Sequence, residues 1–177
     1  ALLRDRTYKK VMRKKEFVSI LKTFLIALFI LPVSIIAMPF IKRKQINSSE
    51  FFCMGLDFQR EPELSIKLLE ELQLKRVLLR IKLWEMDSLS ELKEFILRLQ
   101  DKKITLKIMQ DREHVEDLKL LEKDLRAIFS TLEGLIDMYE IGSTINRSKW
   151  GFFSVDEYNR FYKTAYDLKV SEFAHIK

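Results

Sequence analysis

The sequence predicts an α/β protein, with one membrane-spanning helix followed by four strand-helix units whose strands run parallel. Three observations support this. Residues 17–41 form an apolar run broken only by Lys22 and flanked by basic residues on both sides. From residue 50 onward, short apolar runs alternate with longer segments whose apolar positions recur at helical spacing. Consecutive units of this kind need crossover connections, which give parallel strands with helices packed against the sheet.

Charge divides the chain at the same place. Residues 1–50 hold 11 of the 32 Lys and Arg but only 3 of the 26 acids, leaving 21 against 23 in residues 51–177. The net charge of +6 therefore belongs to the N-terminal part. A near-neutral remainder lacks the basic stripe that phosphate backbones require, so nucleic-acid binding is not expected.

Residues 1–16 read as a basic cytoplasmic segment and residues 17–41 as a transmembrane signal anchor. The stretch from Thr23 to Ile41 approaches the roughly 20 residues that cross a hydrocarbon core. Lys22 sits at its entry end, where its stem can snorkel to the headgroups. Cleavable signals carry shorter apolar regions of about 7 to 15 residues with small residues before the cut. Ile35 and Ala37 match that poorly, so an uncleaved anchor is expected. Seven basic residues precede the run (Arg4, Arg6, Lys9, Lys10, Arg13, Lys14 and Lys15), and only Lys42, Arg43 and Lys44 follow it. The excess predicts a cytoplasmic N-terminus and a domain on the periplasmic or extracellular side. Residues 42–50 are the linker.

Residues 51–58 form the first expected strand and 62–74 its helix, with Leu64, Ile66, Leu68, Leu69 and Leu72 on one face. Strands at 76–83, 104–109 and 135–142 follow, each with a helix behind it, at 88–102, 114–132 and 155–169. The third helix carries Val115, Leu118, Leu121, Leu125 and Ile128 as its apolar stripe. Alternation on the third strand turns Ile104, Leu106 and Ile108 to the helices, and Thr105, Lys107 and Met109 to the other face. The same parity puts Leu78, Arg80 and Lys82 on that second face. Glu140, Gly142 and Thr144 join them if the alternation persists. Arg80, Lys107, Asp57 and Glu140 are expected to converge there as an ion-pair network. Cys53, the sole cysteine, permits no internal disulfide and reads as a small buried apolar side chain. His114 and His175 lack metal-ligand spacing and are expected at the surface. With no glycine-rich phosphate loop, no cofactor or metal is expected.

Residues 139–146 read Tyr-Glu-Ile-Gly-Ser-Thr-Ile-Asn. This segment resembles the fourth-strand end of clan A glycoside hydrolases, the (β/α) barrel enzymes whose pattern there is aromatic-Glu-Ile-Gly-Asn-Glu-Pro/Ile-Asn. Gly55-Leu56-Asp57-Phe58-Gln59 and Leu79-Arg80-Ile81 add weaker support. The resemblance implies the first four units of a TIM (β/α)8 barrel over residues 51–177. A full barrel has eight units and about 250 residues, so either a longer barrel or a pairing half barrel is expected. The resemblance also implies action on carbohydrate by two carboxyl groups about 5 Å apart. The acid/base position falls on Thr144 and the asparagine before it on Ser143. A hydroxyl that does not titrate near neutrality cannot act as the general acid. No catalytic residue is therefore assigned, and an inactive barrel that binds glycan or a protein partner is the alternative. Asp57, Arg80, Ser143, Thr144, Asn146, Arg147 and Trp150 are the expected carbohydrate-binding residues. Trp150 and Trp84 would offer aromatic faces.

Overall fold

The structure is a computed structural model that describes residues 2–41, 51–99, 101–144, 151–152 and 154–176, and for residues 2–16 the backbone path alone. It divides into two compact units, Ala1–Ile46 and Asn47–Lys177.

The first unit contains helix α1, Leu2–Ala37, and a short 3-10 turn, Met38–Phe40, with Pro39 in its first turn. Phe17–Phe40 is 24 residues long with a mean hydropathy of 2.5, giving roughly 36 Å of helix at 1.5 Å per residue. That is long and apolar enough to cross a hydrocarbon core of about 30 Å. Apolar side chains project on all sides and are exposed, which is the pattern of a helix that meets lipid rather than one that packs on a core. Thr23 Oγ1 donates to the Ser19 carbonyl at 2.9 Å, so its hydroxyl is satisfied within the helix.

The second unit alternates strands and helices: β1 Cys53–Gly55, α2 Pro62–Glu71, β2 Arg76–Lys82, α3 Leu89–Leu97, β3 Lys103–Met109, α4 Arg112–Glu116, α5 Leu118–Thr131, β4 Met138–Ile141 and α6 Val155–Glu172. All three strand pairs are parallel and the order is β1-β2-β3-β4. Sequential order with crossover connections of one hand stacks the helices on one face of the sheet. Burial follows that geometry. Val77, Leu79 and Ile81 of β2 and Ile104, Leu106 and Ile108 of β3 are all buried, and the residues between them are not. Leu69, Leu92, Phe95, Leu121, Leu125, Ile128 and Phe161 pack onto that face from the helices. The opposite face carries no covering layer among the described residues.

Several elements stop short of their expected bounds, each for a local reason. β1 ends at Gly55 because Asp57 turns its carboxylate back to the Gln59 N–H at 3.1 Å, an Asx turn that competes with the ladder. α2 ends at Glu71 where Gln73 adopts a left-handed φ of 51° and the Leu74 N–H returns to the Leu69 carbonyl, a Schellman-type stop. The expected 114–132 helix is two helices, because the Asp117 carboxylate accepts from the Lys119 and Leu120 N–H groups and starts a new one. The last helix runs longer than expected. Ser154 caps it by accepting from the Glu157 N–H, with Asp156 and Glu157 in its first turn.

Candidate functional site

The C-terminal edge of β1 and β2 forms a cleft of about 380 Å³ lined by Asp57, Gln59, Arg80, Lys82, Trp84 and Met109, among others. Leu56 and Phe58 are buried, and this alternation turns Asp57 between them outward. The Leu56 N–H extends the ladder to the Leu78 carbonyl at 3.0 Å, which holds the start of this loop against β2.

Arg80 projects from β2 on the uncovered face, opposite Lys107 in the β2–β3 register. Lys107 Nζ lies 2.6 Å from Glu140 Oε1, so that lysine is neutralised across the β3–β4 pair. Lys82 is neutralised too, with its Nζ 3.0 and 2.8 Å from the two oxygens of Glu85. Among the described residues, Arg80 has no carboxylate within 4.0 Å. Its guanidinium reaches toward β1 at Gly55, where a Cβ would lie 3.8 Å from Nη2.

Past β2, a 3-10 segment, Leu83–Ser88, buries Leu83 and leaves Trp84 44 % exposed. Glu85 breaks the helical path at φ −130°, ψ 41°. That break lets its carboxylate take Lys82 as well as the Trp84 Nε1–H at 3.0 Å, while its carbonyl accepts from Ser88 Oγ. Lys82 Nζ lies 6.0 Å from the centre of the Trp84 ring. The indole is thus fixed by its neighbours with part of its surface open to the cleft.

The other half of the strand edge is held differently. Gln110, 1 % exposed, follows β3 and clamps Ser143 with two bonds. Its Nε2–H donates to the Ser143 carbonyl and its Oε1 accepts the Ser143 N–H, both at 2.7 Å. Gly142 takes a φ of 80° and Thr144 a φ of 51°, the latter costly for a β-branched residue. The Ser143 and Thr144 hydroxyls are 3.1 Å apart. Thr144 is exposed, so its hydroxyl is presented outward from a strained turn.

The expected residues fall into two groups. Asp57 and Arg80 meet in the cleft, whereas Ser143 and Thr144 stand at the end of β4. Asn146, Arg147 and Trp150 lie outside the described residues. Lys107 and Glu140 pair as expected, but the four-residue network does not form, because neither Arg80 nor Asp57 makes an ion pair among the described residues. The turn at Gly142 interrupts the alternation on β4, so Thr144 does not continue the Glu140 row. Two further expectations are corrected. Cys53 is exposed because it shares the uncovered face with Gly55, and Met54 is the β1 residue packed on the core. His114 is buried at 3 %, drawn in by carboxylates on both ring nitrogens.

Two further residues complete the geometry. Glu85 stands three residues after Lys82, a spacing that could have flagged the pair. Gln110 gives no such signal, since its partner is 33 positions away. No group of three His, Cys, Asp or Glu among the described residues could hold a metal ion. Compared with known proteins, the chain matches no family model, no curated protein and no solved structure.

Proposed function

We propose that residues 51–177 are half of a glycoside hydrolase-like (β/α) barrel that binds carbohydrate without hydrolysing it, held at the outer face of a membrane by α1. The observation that carries the binding half of this reading is the cleft at the C-terminal strand ends, the edge at which (β/α) barrels bind their ligands. A fixed, half-exposed indole stands there beside Asp57 and Arg80. An aromatic face with a few convergent polar groups is a common form of small-ligand site. The singly wound order β1-β2-β3-β4 supports the barrel reading, because it is the progression by which a parallel sheet curls toward closure.

The absence of hydrolysis rests on Thr144. Its hydroxyl cannot protonate a glycosidic oxygen, and that step is worth about 10² to 10⁴ in rate. Glu85, a carboxylate held in the cleft, already takes Lys82 and the Trp84 indole.

The test is to offer the full chain, in detergent micelles, to glycan arrays and to aryl glycosides. Glycan binding with no aryl release is expected. Turnover by the native chain would overturn the non-hydrolytic reading, and a blank array would overturn the carbohydrate reading altogether.

A further inference from the structure

We infer that the ligand of this cleft is an acidic glycan, with a sugar carboxylate docking on Arg80. The inference rests on the carbohydrate reading and sharpens it. Its basis is an imbalance on the uncovered sheet face. Lys82 and Lys107 each have a carboxylate within 3 Å, Glu85 and Glu140 respectively. Arg80, on the same face and lining the cleft, has none within 4.0 Å among the described residues.

A guanidinium is always charged and offers a planar fork of donors that fits a carboxylate with two parallel bonds. The fork lies beside Gly55 on the β1 rim, where a Cβ would stand 3.8 Å from Nη2, in ordinary contact. The remaining groups suit the rest of a sugar. The half-exposed Trp84 offers an apolar ring surface, and Asp57, with only Oδ1 engaged by the Gln59 N–H, retains an oxygen to accept a hydroxyl. With a neutral sugar, Arg80 would have no charge partner among the described residues. A uronic acid would supply one.

Calorimetric titration of the full chain in micelles can decide this. Oligomers of glucuronic, mannuronic and galacturonic acid would be compared with their carboxyl-reduced and 6-sulfated counterparts. At least one uronic oligomer should bind, and reducing its carboxyls should weaken binding by about 10- to 100-fold, the range for a charge-assisted pair. Arg80→Gln should show the same loss for the uronic form and no change for the reduced form. Arg80→Lys, which keeps the charge but not the fork, should recover only part of it. Circular dichroism and Tm of both variants guard against a folding defect. Equal binding of uronic and reduced oligomers, or tighter binding of the sulfated form, would overturn the carboxylate assignment while leaving carbohydrate binding in place. No binding by any oligomer would overturn both readings.

Discussion

Both ring nitrogens of His114 face carboxylates, Nδ1 at 2.7 Å from Asp111 Oδ1 and Nε2 at 3.0 Å from Asp124 Oδ2. A neutral imidazole has one donor, so only the imidazolium satisfies both contacts. Burial pulls the His114 pKa down, but the hydrogen bonds and charges of Asp124 and Asp111 outweigh it and the net direction is up. A folded-state value above the usual 6.5 or so contributes stability that is complete below the unfolded value. The contribution is lost as pH rises through the folded value. We expect the Tm of the native chain to fall as pH rises above the usual imidazole value and through the raised folded value, and that of His114→Gln to start lower and vary less. Parallel Tm curves for the two proteins would refute the assignment. The burial of this histidine was not legible in the sequence. Asp111 is close along the chain, but Asp124 sits on α5, and only the break at Asp117 brings that helix beside it.

Among the elements, β3 was the most legible because its alternation is strict. Ile104, Leu106 and Ile108 are 2 %, 0 % and 0 % exposed, on the face their parity assigns. β1 was the least legible, since Phe51, Phe52, Cys53 and Met54 are all apolar and either parity fits. The stop between α4 and α5 was hidden because the stripe from Val115 through Leu118 to Leu121 crosses Asp117 at helical spacing. The link between β3 and β4 past their ends was equally silent. There Gln110 takes up both backbone groups of Ser143 and is itself buried. Gln110→Leu, of similar bulk, would leave a buried N–H and C=O without partners, at about 1 to 3 kcal/mol for each unsatisfied group. The expected result is a lowered denaturation midpoint and faster proteolysis at residues 142–144. An unchanged midpoint would mean that the clamp contributes nothing to the fold.

At the scale of the molecule, the described residues leave two surfaces uncovered, the sheet face and the apolar helix. Parallel sheets are nearly always covered on both faces. On this one, the strands present Arg76, Arg80, Lys82, Lys103 and Lys107 against the single carboxylate of Glu140. Face-to-face pairing of two copies would set these basic rows against each other, which argues against a second copy as the cover. For the helix the proposed partner is lipid. Phe17–Phe40 is exposed along its length, and its apolar side chains are worth roughly 1.5 to 3 kcal/mol each when removed from water, so transfer to lipid is strongly favoured. The basic residues at 4–15 outnumber those at 42–44 by seven to three, the bias on which the proposed orientation, N-terminus inside, rests. We predict that the full chain stays with membranes through alkaline carbonate, keeps its uncleaved length, and exports a phosphatase fused after Lys177 in active form. Neutralising Arg13, Lys14 and Lys15 together with Lys9 and Lys10 should reverse the bias and silence the phosphatase. Release by carbonate would refute the anchor, shortening by the length of the helix would make it a cleaved signal, and a silent phosphatase on the native chain would invert the orientation.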